Sequence, residues 1–401
     1  MKILQLCHKP PFPLLDGGCI AMNNIATGLI KQGHEVKVVA ISTPKHPVKD
    51  LDDFKTYREQ TNFESVFVDT TVTVMGLIKS FFKNESYHIN RFDNKQVHLK
   101  IIDILTHDSF DIVQIETIFM APYIDTIRTY SKAKIVVRLH NIEHQIWQRL
   151  VQNETHFVKR MTLKWLSSTL KKYELSIFKK IDAFMAISSV DYQFFNEKNP
   201  YSKGAIVPFG IDIEDYQADD HYFPTDMPEL FHIGSMNWLP NIEGIDWFIE
   251  EVWPLILEQY PSITFTIAGR NIPNRFYTNN SQNLNIIGEV EDAKEFMLSK
   301  DIMIVPLLSG SGIRIKIIEG MALGKTIITT SIGAEGLDIN DGVNIFIANT
   351  PQEFLEKIMQ CVNSPEICKI IGENAKNYVA LHHHNNTISN EIISFYNSLL
   401  H

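Results

Sequence analysis

The stretch Val305-Pro-Leu-Leu-Ser-Gly-Ser-Gly-Ile-Arg-Ile-Lys-Ile-Ile-Glu-Gly-Met-Ala-Leu-Gly-Lys325 reads as a strand, a glycine loop and a helix in direct succession. Gly310 and Gly312, with Ser311 between them, let the backbone turn tightly and come close to a ligand. A helix beginning near Gly312 offers free N–H groups and the positive end of its dipole, a natural seat for a diphosphate. Gly312 and Glu319 stand close to two turns apart, so they share a face, and two turns rise about 10.5 Å. That spacing suits a diphosphate at the helix start and a ribose diol further down, both hydroxyls donating to the Glu319 carboxylate. Arg314 and Lys316 add positive charge beside the loop. The plain alternative is an exposed helix with ordinary surface charges. An Arg, a Lys and a Glu grouped beside a glycine loop weighs against it.

Outward from this stretch, strand and helix alternate from end to end. Leu230–Ile233, Ile263–Ala268, Asn285–Ile287, Ile302–Val305, Thr326–Thr329 and Asn344–Ile347 read as strands, with helices from Asn241 and Gly312 between them. An earlier series runs through Lys2–Cys7, Val36–Ile41, Asp111–Ile115, Lys134–Leu139, Ala183–Ile187 and Ala205–Val207, with a helix over Ile20–Lys31. These runs are rich in Val and Ile and apolar on both faces, as strands of a buried parallel sheet are. The fold class is therefore α/β: two tandem Rossmann-like domains facing across a cleft. The polar segment Tyr216–Pro228, with Asp219, Asp220 and Asp226, reads as the linker. The expected domains are residues 1–215 for acceptor, 216–385 for donor, and a C-terminal helix over 386–401 that packs back on the first domain.

The chain has 401 residues and a net charge of −10, which weighs against a nucleic-acid binder with its basic face. The opening MKILQLCHKPPFP has too short an apolar run for a signal peptide, and Asp69 and Lys79 interrupt the nearest thing to a membrane span. Cys7, Cys19, Cys361 and Cys368 match no metal-binding spacing; four cysteines in so long a chain imply packing residues and a cytoplasmic location. His382, His383 and His384 are adjacent and cannot converge on one ion from a helix, so no metal is expected there. The basic helical run over Lys159–Lys180 reads as a solvated face, with peripheral contact to anionic lipid at the cytoplasmic face of the membrane as the alternative.

The glycine loop and its helix resemble the donor-site signature of family-4 (group 1) retaining glycosyltransferases, which have the GT-B fold. Glu319 matches the second of two glutamates in that signature, which in the family binds the ribose; the first falls at Ser311 and is missing. The resemblance covers nearly the whole chain. Pro10-Pro11 with Gly17-Gly18 resembles the N-terminal glycine loop that approaches the donor phosphates. Val207-Pro-Phe-Gly-Ile-Asp212 is similar to the segment closing the first domain, and Phe231 to Gly244 to the first strand and loop of the donor domain. The loop Gly288-Glu-Val-Glu-Asp292, with Val290 at its centre, resembles the one bracketing the nucleobase, and Gly333-Ala-Glu-Gly-Leu337 the loop after the next strand. His140, at the end of Lys134–Leu139, matches a histidine that contacts the transferred sugar. Asn141 and Glu143 beside it are candidates to orient it or to bind acceptor. Arg270 ends a strand of the donor domain and is a candidate for phosphate. Tyr87, Arg91 and Phe92 are candidates for the acceptor pocket, against simple packing.

The resemblance implies a retaining transfer from a nucleotide-sugar donor to a glycan or lipid-linked glycan. It also implies no metal or other cofactor, the leaving diphosphate being stabilised by helix dipole, amides and cations. In many relatives the loop after the first donor-domain strand carries an Arg and a Lys that grip the diphosphate. Here Gly234 to Gly244 holds no basic residue, and Glu243 stands where the lysine is expected, so the grip passes to Arg314 and Lys316. Three other functions compete with this one. A nucleotide-sugar epimerase of the same two-domain shape needs extra acid/base carboxylates that cannot be placed. An NAD-dependent dehydrogenase needs Gly-x-Gly-x-x-Gly after a strand, which is absent. A non-catalytic sugar-nucleotide-binding protein stays open because the first glutamate is missing.

Overall fold

The computed structural model describes residues 1–48, 52–216, 227–310 and 312–401. Most of the expected linker, and Ser311, lie outside them. Two compact units form: Met1–Gly210 together with Asn385–His401, and Ile211–His384.

The first unit is built on seven strands: β1 (Lys2–Cys7), β2 (Glu35–Ser42), β3 (Glu64–Phe67), β4 (Ile112–Glu116), β5 (Lys134–Leu139), β6 (Ala183–Ala186) and β7 (Lys203–Ile206). Their order is β3-β2-β1-β4-β5-β6-β7, and every pair is parallel. Leu4 stands opposite Lys37 on β2 and Val113 on β4. One apolar layer, with Leu4, Leu6, Ile115 and Phe184, covers one side of the sheet. A second, with Ile3, Met22, Val36 and Val136, covers the other and takes in Ile388, Ile392 and Tyr396 of the helix Asn385–Leu400. The strand β3 was not legible in sequence: it is a four-residue edge strand of alternating half-exposure, too short for an apolar run.

The second unit carries six parallel strands: β8 (Glu229–Ile233), β9 (Thr264–Ala268), β10 (Leu284–Gly288), β11 (Ile302–Val305), β12 (Thr326–Thr329) and β13 (Phe346–Ile347). They are ordered β10-β9-β8-β11-β12-β13. Trp253, Phe248, Phe265 and Phe354 fill one core between sheet and helices. The helix Pro351–Asn363 starts where sequence rules place it: Thr350 and Glu353 form a reciprocal capping box, with Pro351 in the first turn. In each unit the strand order reverses once, between β1 and β4 and between β8 and β11. Ligands of open α/β sheets bind beyond the strand ends at such points.

Candidate functional site

In the second unit, the glycine loop follows β11. Gly310 (φ 119°) and Gly312 (φ 80°) both hold left-handed backbone that side-chain-bearing residues rarely adopt. This delays the helix: it runs Ile315–Ala322 with Arg314 at its N-cap, not from Gly312 as the sequence suggested. Gly312 and Glu319 therefore do not lie on two continuous turns, and the loop itself supplies the first part of that separation. Arg314 is buried. Its Nη1 donates to the Gly312 carbonyl, and its guanidinium sits over the Trp238 ring at 5.2 Å.

Lys316, the second residue of this helix, is half-buried. Its ammonium donates to Asn241 Oδ1 at 2.8 Å and lies 3.3 Å from His232 Nε2. His232 is fully buried on β8, and its Nδ1 is 2.8 Å from the Ile304 carbonyl. A carbonyl only accepts, so Nδ1 carries the proton and Nε2 turns its lone pair to Lys316. Both partners of Lys316 are thus neutral, and among the described residues no carboxylate lies within ion-pair reach. Burial and the Arg314 charge push the Lys316 pKa down to about 7. His232 and Asn241 were missed in the sequence; the visible signal was a histidine inside an otherwise apolar buried strand.

Glu319 accepts from the Tyr216 hydroxyl at 2.9 Å, and burial raises its pKa to about 7 against that bond and the Lys294 charge. Lys294 in turn lies over the Tyr216 ring and donates to the Asp215 carbonyl. Glu243 turns to the same loop, accepting from Ser309 Oγ at 2.8 Å. Arg270 follows β9, half-exposed, with Nε 3.9 Å from Glu289; Val290 is half-buried in the loop after β10. The three adjacent histidines diverge: His382 and His383 pack on Tyr378, and His384 meets Glu214.

In the first unit, His140 ends β5 beside Glu116 at the end of β4. His140 Nε2 lies 2.6 Å from Glu116 Oε2, and Arg138 Nη1 lies 3.7 Å from the same oxygen. Gln5 donates to Glu116 Oε1 at 2.8 Å and Gln114 donates to it as well; the Tyr396 hydroxyl donates to Gln114. Burial alone would raise the Glu116 pKa, but the His140 bond and the Arg138 charge outweigh it and hold it at about 2. Burial lowers the His140 pKa despite Glu116. A neutral imidazole that gives its Nε2 proton to a carboxylate presents Nδ1 as an acceptor. Among the described residues, nothing bonds that Nδ1. Thr117, next after Glu116, holds φ 69°, an outlier for a β-branched residue and a sign of local strain.

His8, at the end of β1, brings its ring 6.4 Å from His140 and packs on Phe92 and Phe119. The sequence had offered Phe92 but not His8 or Glu116. Asn141 donates weakly to Glu143 at 3.4 Å. Burial and the nearby Glu174 push Glu143 up to about 8, so it is largely protonated at neutral pH. Fully buried Glu174 accepts from the Glu143 and His144 amides, capping the helix Glu143–Asn153 from a distance in sequence.

One expectation is corrected. Gly17 and Gly18 are not a loop: they open the helix Gly17–Lys31, whose Cys19 amide is capped by Asp16, itself paired with Lys9 at 2.6 Å. Tyr87 and Arg91 make the packing contacts that were the alternative to an acceptor pocket. Tyr87 exchanges hydrogen bonds with Thr73, and Arg91 donates to the Thr70 carbonyl, so both tie down the segment before the helix Val74–Lys83.

Comparison with known proteins agrees with this layout. Residues 17–215 match the model of Glycosyltransferase Family 4, and residues 227–364 that of Glycosyl transferases group 1, together most of the chain. An uncharacterised 44.6 kDa protein in the cps region of Klebsiella pneumoniae is 24% identical over 390 residues, covering 94% of this chain and 95% of that one. Among solved structures, sucrose-phosphate synthase of Thermosynechococcus elongatus superposes with a TM-score of 0.72 at 13% identity, over 100% of this chain and 99% of that one. HepE of Anabaena, in complex with UDP-glucose, gives 0.64 at 16% identity, over 99% and 100%. The chain is a glycosyltransferase of GT-B fold and belongs to the group 1, family 4 glycosyltransferases.

Proposed function

We propose that the enzyme moves a sugar from a nucleotide-activated donor to a glycan or lipid-linked glycan, with retention at the anomeric carbon and without a metal ion. The observation that carries this is Lys316: an ammonium desolvated beside Arg314 on neutral partners, at the mouth of a glycine loop. A cation without a counter-ion is costly to bury, and an arriving anion relieves that cost. The diphosphate sits on the loop amides between Arg314 and Lys316, which hold it as a bidentate donor and a point charge. Glu319 takes the ribose hydroxyls, Val290 borders the base, and Arg270 lies further along the donor. Ser311, outside the described residues, keeps its place in the loop by sequence alone, and Gly17 and Gly18 remain candidates only for a close approach of helix to donor. His140 Nδ1 accepts from a hydroxyl of the transferred sugar. Asn141 and the protonated Glu143 border the acceptor.

In the reaction the bond from the anomeric carbon to the diphosphate oxygen breaks and a bond to the acceptor oxygen forms on the same face. The acceptor proton passes to the departing phosphate, whose charge Arg314 and Lys316 stabilise. The UDP-glucose complex of the HepE neighbour supports a nucleotide-sugar donor, and the cps-region relative supports a place in polysaccharide biosynthesis. The test is a thermal-shift screen of nucleoside diphosphates and their sugars, followed by transfer assays with and without EDTA. A stabilising nucleotide sugar whose transfer survives EDTA supports the proposal. Transfer lost in EDTA and restored by manganese or magnesium removes its metal-free part.

A further inference from the structure

The helix Val74–Lys83 is poorly accounted for by the fold. Of its ten residues only Ser80 is buried. Its preceding segment is pinned by Tyr87 and Arg91, and Thr73 caps its first turn, so its position is fixed while its apolar side faces out. Met75, Ile78, Phe81 and Phe82 are exposed, Phe82 at 83%. A helix this short gains little from propensity and depends on cover for its apolar face.

A second apolar row continues the first. On the helix Phe157–Ser176, Phe157 and Met161 are exposed one turn apart, and Trp165 follows on the same face. The Trp165 and Phe81 rings meet at 5.4 Å, joining the two rows. Around them stand Lys79 and Lys83 on the first helix and Lys159, Arg160 and Lys164 on the second, all exposed. No acid occurs from Val74 to Lys83 or from Phe157 to Tyr173; Glu154 pairs with Lys159 at the edge. This is a basic, aromatic surface on a chain of net charge −10.

We infer that these two helices rest the first unit on an anionic lipid bilayer. Phe and Met enter the acyl boundary, and the lysines and arginine meet headgroup phosphates. The composition selects a membrane over a protein partner, because protein interfaces are depleted in Lys, whereas apolar side chains flanked by Lys and Arg mark interfacial helices. The first helix is about half the length of a span, and no described helix is long and apolar enough to cross a membrane, so both lie along the surface. The inference does not depend on glycosyl transfer, and its test does not read activity.

The full chain is sedimented with vesicles of phosphatidylcholine alone and with vesicles containing phosphatidylglycerol. It is expected to bind the anionic vesicles, less so at high salt, and to stay free of the neutral ones. The pair Met75→Ser and Phe82→Ser, at side chains with little protein contact, should weaken binding roughly tenfold or more while leaving the melting temperature unchanged. Phe157→Ser should lower it independently. Failure of the parent to bind either vesicle, or undiminished binding by the double variant, overturns the inference. So does a dimer in sedimentation velocity that the double variant disperses, which would give this face to a second copy of the chain.

Discussion

The Tyr216 hydroxyl donates to Glu319 Oε1 across 2.9 Å, which fixes one edge of that carboxylate. If Oε2 takes the ribose, Glu319→Ala should weaken nucleoside diphosphate binding by about 1.5–3 kcal/mol, the scale of hydrogen bonds to a charged group. Tyr216→Phe should cost less, about 0.5–1.5 kcal/mol, because it only loosens the carboxylate. A small phosphate-type anion should bind both variants as it binds the parent. Calorimetry with nucleoside diphosphate and with inorganic pyrophosphate separates these outcomes; parent-like nucleotide affinity in Glu319→Ala would refute the ribose role.

Donor affinity should be greatest near pH 7. If Lys316, with its pKa lowered to about 7, must be charged to hold the diphosphate, binding takes up a proton above that pH and weakens as pH rises. Glu319 also titrates at about 7 and is needed ionised, so binding releases a proton below that pH and weakens as pH falls. Calorimetry in buffers of different ionisation enthalpy measures both. Lys316→Met should remove the alkaline limb and Glu319→Gln the acid limb; a profile unchanged by both variants contradicts the assignment.

The same lysine should make the empty protein less stable. Its folded pKa lies below the unfolded value of 10.5, so between pH 7 and 10.5 the unfolded chain binds the extra proton and stability rises with pH. Lys316→Met should raise the melting temperature at pH 7 and flatten that slope, while losing diphosphate affinity. A variant less stable than the parent at pH 7 would count against the desolvated ammonium.

Arg314→Ala should abolish most transfer and weaken nucleoside diphosphate far more than nucleoside, since its guanidinium is proposed to grip phosphate. Titration of both ligands decides it. Equal losses would mean that Arg314, stacked on Trp238, only holds the loop.

His140→Ala should lower turnover about a hundredfold with little change in donor affinity, because its contact matters most in the transition state. Glu116→Gln, which acts through His140, should lower turnover less and shift the pH profile, the imidazole no longer being held in one tautomer by a carboxylate. Steady-state kinetics across pH distinguishes the two, and unchanged turnover in His140→Ala would return that residue to a structural role.

Most of the sheet was legible because buried parallel strands are rich in apolar residues, uniformly so in Ile302–Val305 and in all but Lys2 and Gln5 of Lys2–Cys7, and the glycine loop announced itself. What stayed hidden depended on distant partners. Nothing near Lys316 in sequence points to Asn241 or His232, which come from another helix and strand. Glu116 reads as the polar end of a strand until the β4–β5 pairing sets it beside His140. Gly17 and Gly18 misled because a glycine pair suggests a loop, whereas the Asp16 cap starts the helix at once. Tyr87 and Arg91 were read two ways because aromatic and basic residues suit a pocket as well as a brace.

The hydrogen-bond chain from Tyr396 through Gln114 to Glu116 and His140 links residues 282 apart in sequence at its first step. A ribosome delivers the seven strands of the first unit and then the entire second unit before it delivers that tyrosine. Until then the sheet face that holds Ile3, Met22 and Val36 lacks the side chains of Ile388, Ile392 and Tyr396. The packing of the first unit is therefore completed only after the second unit has been made. The hydrogen-bond partner of Gln114 behind Glu116 and His140 is thus among the last residues of the chain to be made.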